Sequence, residues 1–252
     1  MLVLQRDFLP TELEKTLAAH GVDGCVAVQA DQSEAETHFL IELAVQHDFI
    51  KGIVGWVDLR AENIEERLAY FADFPKTKGF RHIVQGESDV NFMLRPDFKR
   101  GIASLEKFGF TYDILVFPHQ LGAALELAKT FPNQKFVIDH LAKPYIKDGY
   151  LEGWAVLMRE ISRCENVWCK LSGMVTEADL AHWQYENFVP YLDLVCASFG
   201  TARLMFGSDW PVCLLGGSYG ETKGVLEKHL HTFSPQEQAK IWGGNALEFY
   251  NI

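Results

Sequence analysis

The sequence has few cysteines, and they follow no metal-binding or disulfide pattern. There are five in 252 residues, an odd number, and no two are spaced as C-x-x-C. This excludes a zinc-ribbon or thioredoxin-type motif and the paired cysteine framework of a small secreted domain. The opening stretch MLVLQRDFLPTE also lacks the basic and long apolar regions of a signal peptide. We therefore expect a reduced, cytoplasmic protein.

Basic residues and long apolar runs are also scarce. Lysine and arginine number 23 against 34 acidic residues, which gives a net charge of −11. Such a charge argues against nucleic acid and anionic membranes as partners. No apolar run approaches the roughly eighteen residues of a membrane-spanning helix. Because there is no linker or low-complexity tract, residues 1–252 are predicted to form a single domain. We expect the partner to be a small-molecule substrate and make no prediction of the oligomeric state.

Several cofactor motifs are missing as well. The sequence contains no G-x-G-x-x-G, no G-x-x-x-x-G-K-[ST] and no H-E-x-x-H stretch. Dinucleotide-binding, phosphate-loop and zincin chemistry therefore have no motif to support them.

What the sequence does contain is a repeated alternation of short apolar runs with helix-like segments. The runs cover residues 24–29, 52–57, 79–84, 111–117, 135–140, 166–171 and 203–207. Their spacing of about thirty residues fits βαβ units, in which buried parallel strands read as nearly continuous apolar runs. Helix signals lie between them, such as the capping box that begins at Ser234. The pattern predicts a parallel α/β fold, either a (β/α)8 barrel or an open doubly wound sheet.

The number of runs raises a question about the beginning of the sheet. Seven runs are present where a closed barrel of this type needs eight, and the first comes only after a helix signal at residues 10–20. Either the sheet is open with seven strands, or an N-terminal strand is missing from this chain.

Polar residues collect where the apolar runs end. They are Arg81, His82, His119, Asp139, His140, Lys170, Ser172, Ser208 and Asp209. In parallel α/β folds the active site lies at the carboxyl ends of the strands, and buried charges are costly unless paired. Histidines and an aspartate on separate strands indicate hydrolysis by an activated water, with or without a metal. Structural roles are the competing interpretation: His140 paired with Asp139, Lys170 in an ion pair, or Asp209 as a helix N-cap.

Three stretches at these ends carry a resemblance to a known family. They are VIDHLAKP at 137–144, CKLSG at 169–173 and FGSDWP at 206–211. Supporting stretches are GWVDL at 55–59, GFRH at 79–82 with LRPD at 94–97, and GGNA at 243–246. Together they resemble the amidohydrolase-2 branch of the amidohydrolase superfamily, and within it the sugar-lactone hydrolases of the L-fucono-1,5-lactonase type. The resemblance covers essentially the whole chain.

The resemblance implies a (β/α)8 TIM barrel of amidohydrolase type, with the first β-strand missing from this chain. Members of the family open with an H-x-H motif on that strand, and nothing before residues 5–10 supplies it. We favour a start codon misassigned to an internal methionine over a real deletion, and expect about twenty to thirty residues upstream.

The resemblance also assigns roles to the site residues. Asp209 is expected to act as the base that takes a proton from water and returns it to the ring oxygen. His140 and His119 are expected to polarise the lactone carbonyl. Arg81, His82 and Lys170 are expected to bind the substrate, with Trp210 stacking on the sugar. No cofactor is expected to be required, so activity should survive chelation; the alternative is one zinc ion, with His119, His140 and Asp209 as candidate ligands.

Other functions remain as alternatives. A dicarboxylate lactonase or a metal-dependent decarboxylase could use the same barrel. A dicarboxylate calls for several arginines, and the strand ends offer essentially Arg81 alone. A non-catalytic homologue that only binds a ligand is the alternative from outside the enzymes.

Overall fold

A parallel sheet of seven strands forms the centre of the fold. The computed structural model describes residues 2–252 of the chain. The strands are β1 (Cys25–Val28), β2 (Ile50–Gly55), β3 (Thr77–His82), β4 (Thr111–Ile114), β5 (Phe136–Ile138), β6 (Val167–Leu171) and β7 (Leu204–Phe206). They lie side by side in chain order, each parallel to the next. Each strand overlaps one of the seven apolar runs, so the prediction of a parallel α/β sheet is confirmed.

Helices occupy the segments between the strands. They are α1 (Pro10–Ala19), α2 (Glu34–Gln46), α3 (Ile64–Ala72), α4 (Pro96–Leu105), α5 (Leu121–Thr130), α6 (Glu152–Ile161), α7 (Met174–Glu177), α8 (Tyr185–Phe199), α9 (Tyr219–Leu230), α10 (Pro235–Ala239) and α11 (Asn245–Tyr250). The capping box predicted at Ser234 is present, since its side chain accepts from the Glu237 amide at the start of α10.

The outer face of the sheet packs against these helices. Phe80, Tyr112 and Phe136 project from neighbouring strands, and none of the three is exposed to solvent. Their rings contact other aromatic side chains edge-on, such as Phe98 of α4 against Tyr112 at 5.9 Å. This layer supplies most of the buried apolar area that stabilises the fold.

The inner face of the sheet closes around a second, smaller cluster. Val54 of β2, Val137 of β5 and Met205 of β7 belong to it, together with Phe249 and Tyr250 from α11. Because strands that are not neighbours share one cluster, the sheet must curl around it, as in a TIM-type barrel. The Phe249 ring packs at a tilt against Trp168 near the start of β6, with centroids 5.1 Å apart, so the end of α11 covers the amino-terminal side of the sheet.

The two edge strands of the curled sheet are unequal in burial. Within residues 2–252, β1 pairs only with β2 and β7 only with β6. All four residues of β1 are half-buried, whereas Leu204 and Met205 of β7 are buried and only Phe206 is half-buried. Within the same residues no helix combines the length and the apolar character needed to cross a membrane.

Candidate active site

His140 and Asp209 meet at the carboxyl end of the sheet. His140 follows β5 and Asp209 follows β7, and the His140 Nε2 lies 3.6 Å from the Asp209 Oδ1. Both side chains are mostly buried, with 13% and 14% of their surface exposed. Burial lowers the pKa of His140, and the neighbouring Asp209 carboxylate offsets part of that shift. The structure thus brings together the two residues that the sequence assigned to catalysis.

An unusual backbone turn carries His140. Residues 140–143 all have positive φ, at 52°, 52°, 55° and 49° in chain order, although none is glycine. Left-handed backbone costs a non-glycine residue roughly 1–2 kcal/mol. Two contacts hold the turn in place: the buried Leu141 side chain, and a 2.7 Å hydrogen bond from the Trp154 indole to the Leu141 carbonyl. Asp209 also has positive φ, at 54°. Strain of this kind, held by surrounding packing, is typical of functional sites.

A buried ion network lies beneath this turn. Asp139 is fully buried; its Oδ2 accepts from the Arg81 Nη1 at 2.8 Å, and its Oδ1 lies 2.7 Å from the Lys170 Nζ. Lys170 also bridges to Asp113 Oδ2 at 2.5 Å, and that oxygen accepts from the Tyr250 hydroxyl at 2.9 Å. Burial opposes the charge on Asp139, but Lys170 and Arg81 outweigh it and hold the pKa of that carboxyl below its usual range. Burial likewise opposes the charge on Lys170, yet Asp113 and Asp139 raise its pKa well above the ordinary value.

His82 lies on the helix side of the sheet. Its ring stacks on Phe92 with centroids 4.8 Å apart, and its Nε2 lies 2.7 Å from the Glu87 Oε1. The Trp56 indole donates to the Nδ1 at 3.3 Å, so the proton of the neutral ring is on Nε2. Burial lowers the pKa of His82, although the Glu87 carboxylate opposes this. Both ring nitrogens therefore have protein partners.

The remaining two predicted residues are more accessible. His119 is exposed on a short 3-10 turn at residues 118–120, where its ring stacks on Phe117. Trp210 is half-buried beside Asp209, and the Phe8 ring packs edge-on against it at 5.3 Å. The rings of Trp210 and Phe8 thus form an aromatic pair next to Asp209.

Asp113 and Tyr250 are part of the buried network but were not among the predicted site residues. An aspartate inside the apolar run at 111–117 was a usable signal, because a charge in a buried strand requires a partner. Tyr250 gave no such signal. Nothing in the pattern of the last helix indicates that it reaches into the sheet.

A curled parallel sheet with a histidine and an aspartate at its carboxyl end is the arrangement expected of a TIM-barrel enzyme that activates water. The family model for amidohydrolases, Amidohydro_2, matches residues 2–252. The chain therefore belongs to the amidohydrolase family, and the resemblance seen in the sequence is confirmed.

Curated relatives and a solved structure are similar over nearly the full chain. An L-fucono-1,5-lactonase of Burkholderia multivorans is 40% identical over 263 residues, covering 100% of this chain and 88% of the relative. An L-fucono-1,5-lactonase of Burkholderia ambifaria is 38% identical, covering 99% and 87%. The crystal structure of an amidohydrolase from Burkholderia multivorans is 40% identical with a TM-score of 0.97, covering 100% of this chain and 91% of the other.

That crystal structure corrects one expectation from the sequence. It contains bound zinc. The expectation that no cofactor is required is therefore wrong, and so is its consequence that activity survives chelation. The three candidate ligands do not assemble either. Among residues 2–252, no three histidine, cysteine, aspartate or glutamate side chains are grouped so that they could hold a metal ion, so His119 does not join His140 and Asp209.

Proposed function

We propose that this protein hydrolyses the lactone of a sugar acid, with L-fucono-1,5-lactone as the representative substrate. The observation that carries the proposal is the similarity to two L-fucono-1,5-lactonases at 38% and 40% identity over nearly the full chain. The site agrees with it, since His140 and Asp209 converge at the end of the sheet where a TIM-type barrel places its chemistry.

Asp209 is the proposed general base. Within residues 2–252 its carboxylate accepts no hydrogen bond, so its oxygens are available to a water molecule. Asp209 takes a proton from the water as that water attacks the lactone carbonyl, and the same proton then passes to the ring oxygen as the ring opens. The ester C–O bond breaks, one water is consumed, and no covalent intermediate with the protein is needed.

His140 and Asp209 are the proposed protein ligands for a zinc ion. Two ligands on one tetrahedral zinc at about 2.0–2.1 Å lie roughly 3.4 Å apart, close to the 3.6 Å between the His140 Nε2 and the Asp209 Oδ1. A zinc ion here would serve as a Lewis acid for the lactone carbonyl. A catalytic zinc site has about three protein ligands, and residues 2–252 bring two of them together.

We propose that an eighth strand completes the sheet between β1 and β7. Both edges lack a partner within residues 2–252, and the side chains of β1 are only half-buried. Two buried polar atoms near the β1 edge, the Gln29 Oε1 and the Arg81 Nε, also have no hydrogen-bond partner there. A strand in this slot would cover both edges and would be placed to add the further zinc ligand.

The other predicted site residues divide into two groups. Trp210 and His119 are accessible near the mouth of the sheet, and we propose that they contact the sugar. Arg81 and Lys170 already hold Asp139, and His82 holds Glu87. For these three the geometry favours support of the site over direct contact with substrate. Five cysteines without a disulfide suit the proposed cytoplasmic location.

A substrate panel tests this proposal. Initial rates of ring opening would be measured with zinc present for L-fucono-1,5-lactone, for other aldono-1,4- and 1,5-lactones, and for 2-pyrone-4,6-dicarboxylate. Spontaneous hydrolysis in buffer is the control for each compound. We expect kcat/KM to be highest for a sugar lactone. A preference for the dicarboxylate, or no rate above the spontaneous one, would overturn the proposal.

A further inference from the structure

The His140 ring is held on its second nitrogen by a residue that has no assigned role. The His140 Nδ1 lies 2.8 Å from the Oγ of Ser172, which follows β6 directly. Ser172 is only 2% exposed, so water does not compete for this contact. The Nε2 on the other side of the ring points to Asp209. Ser172 is thus the protein partner of the ring nitrogen that points away from Asp209.

Two glycines leave the space in which this contact forms. A Cβ on Gly173, which has φ +64°, would lie 2.6 Å from the Cβ of His140 and 2.7 Å from its Cγ. A Cβ on Gly207 would lie 2.9 Å from the Cβ of Ser172. Side chains at these positions would displace either the ring or the serine. The absence of a Cβ at both glycines therefore leaves room for the His140 ring beside Ser172.

The distance to Asp209 indicates which nitrogen of His140 carries the proton. An N–H donor to a carboxylate lies about 2.7–2.9 Å from the acceptor oxygen, and the 3.6 Å between His140 Nε2 and Asp209 Oδ1 exceeds that. The 2.8 Å contact between Nδ1 and Ser172 Oγ has hydrogen-bond length whichever atom donates, so its length alone does not place the proton. A proton on Nε2 would have no acceptor within hydrogen-bond distance at Asp209, whereas a proton on Nδ1 has one in Ser172 Oγ. The geometry therefore favours an Nδ1–H that donates to Ser172 and a free lone pair on Nε2.

We propose that Ser172 is a positioning residue for the hydrolytic site: its Oγ accepts the His140 Nδ1–H, which fixes the ring orientation and keeps the Nε2 lone pair directed at the zinc and water position. The kinetic part of this inference rests on the proposed function, whereas the tautomer part does not. Ser172 touches neither the substrate nor the reacting atoms; it acts through His140.

The tautomer can be measured directly in the full 252-residue chain. Long-range ¹H–¹⁵N correlation spectra of [¹⁵N]histidine-labelled protein distinguish protonated from unprotonated ring nitrogens. Chelator is present so that a metal does not dictate the tautomer, and the His140 signals are those missing from His140→Gln. We expect Nδ1 protonated in the wild type, and a gain of the Nε2–H form in Ser172→Ala. An Nε2–H form in the wild type, or an unchanged tautomer in Ser172→Ala, would overturn the proposal.

Kinetics supply the second readout. Loss of such an orienting partner typically reduces activity or metal affinity 10- to 100-fold, so kcat on L-fucono-1,5-lactone with saturating zinc should fall by about this factor in Ser172→Ala, with KM changed less than about threefold. Ser162→Ala is the matched control, because Ser162 is equally buried and its hydroxyl bonds only a carbonyl within its own segment. An unchanged kcat in Ser172→Ala, or the same loss in Ser162→Ala, contradicts the role. If Ser172→Ala fails to fold, the wild-type spectrum still decides; if no lactone is hydrolysed, the spectra decide without the kinetics.

Discussion

The side chains of Asp209 and His140 are mostly buried but remain in contact with solvent. Each side chain keeps a small exposed fraction, 14% for Asp209 and 13% for His140, so a substrate can reach both. The backbone of each residue has positive φ, and the buried Leu141 with its hydrogen bond from Trp154 holds the turn that carries His140. The energetic cost of these conformations is offset by the rest of the fold, which leaves the two functional groups aimed at one point before substrate arrives.

The first prediction concerns the base. In Asp209→Asn the shape of the side chain is kept but the proton acceptor is lost, so kcat for lactone hydrolysis should fall by about 10²- to 10⁴-fold. Steady-state kinetics with zinc present measure this, with the thermal melting temperature as a control for folding. Turnover within a factor of two of the wild type would remove Asp209 from the mechanism.

The second prediction concerns His82 and pH. Burial lowers the pKa of this histidine in the folded protein, whereas in the unfolded chain it has its ordinary value of about 6.5. The unfolded state therefore binds more protons below that pH, and this contribution to stability is present above about pH 6.5 and lost as the pH falls. His82→Gln should flatten the decline in unfolding free energy between pH 7 and 5, by at most about 1.4 kcal/mol per pH unit. Urea unfolding at several pH values measures it, and parallel curves for the two proteins would contradict it.

For single residues, the sequence predicted which polar side chains lie at the strand ends but did not identify the residues they contact. His140 and Asp209 could be predicted because polar residues that end buried strands stand out against apolar runs. An ion pair of Lys170 could be proposed from the sequence, but its partners Asp113 and Asp139 could not be identified, since pairing depends on which side chains face the inside of the curled sheet. The left-handed turn could not be predicted either, because His, Leu, Ala and Lys rarely adopt positive φ, whereas glycine does so readily.

At the level of elements, four consecutive strands are tied together by this charge network. Arg81 belongs to β3, Asp113 to β4 and Lys170 to β6, while Asp139 follows β5 directly. Two positive and two negative side chains are present, so the network is balanced within itself. Such a balance is needed because each charge is almost completely out of contact with solvent.

The third prediction tests that balance. Lys170→Met leaves two carboxylates buried without their shared cation, and the unfolding free energy should fall by about 3–5 kcal/mol. Adding Asp113→Leu removes one of these carboxylates and should recover part of the loss. Urea denaturation of the single and double variants measures both effects. A single variant that loses less than about 1 kcal/mol, or a double variant less stable than the single one, would contradict the account.

The fourth prediction concerns a serine that resembles a nucleophile. Residues 216–220 read G-G-S-Y-G, which fits the G-x-S-x-G pattern of serine hydrolases. In the structure Ser218 is the N-cap of α9: it accepts from the Glu221 amide and its hydroxyl donates to the Glu221 carboxylate. Ser218→Ala should therefore reduce stability by about 1 kcal/mol and leave kcat unchanged. Chemical denaturation and lactone kinetics test it; loss of turnover with normal stability would show that Ser218 acts in the reaction.

The apolar runs of the sequence predict where the strands lie but not where each strand ends. The seven apolar runs located all seven strands, because strands buried on both faces are apolar throughout. The run at 135–140, however, contains a strand of only three residues, Phe136–Ile138. Asp139 and His140 leave the strand to form the turn, and hydrophobicity alone does not separate a buried strand end from a buried turn.

In the whole molecule, the two edges of the curled sheet, β1 and β7, have no strand partner within residues 2–252. The fifth prediction is that the unpaired edges of β1 and β7 limit stability, so a variant with an added strand-forming segment that pairs with both edges should have a higher melting temperature and turnover than the 252-residue chain. The physical reason is that a strand between β1 and β7 would satisfy both edges and shield the half-buried side chains of β1. Differential scanning calorimetry and lactone assays on both forms test it. Equal melting temperatures of the two forms would contradict it.

We propose that this amidohydrolase opens a sugar lactone with a zinc ion bound at His140 and Asp209. The most direct test is one pH-stat recording of L-fucono-1,5-lactone hydrolysis: as purified with zinc, after chelation, and after zinc is returned. We expect a kcat within the ordinary enzyme range of about 1–10³ s⁻¹, loss of activity on chelation, and recovery with zinc. A rate equal to spontaneous hydrolysis throughout, or one that chelation leaves unchanged, would contradict the account.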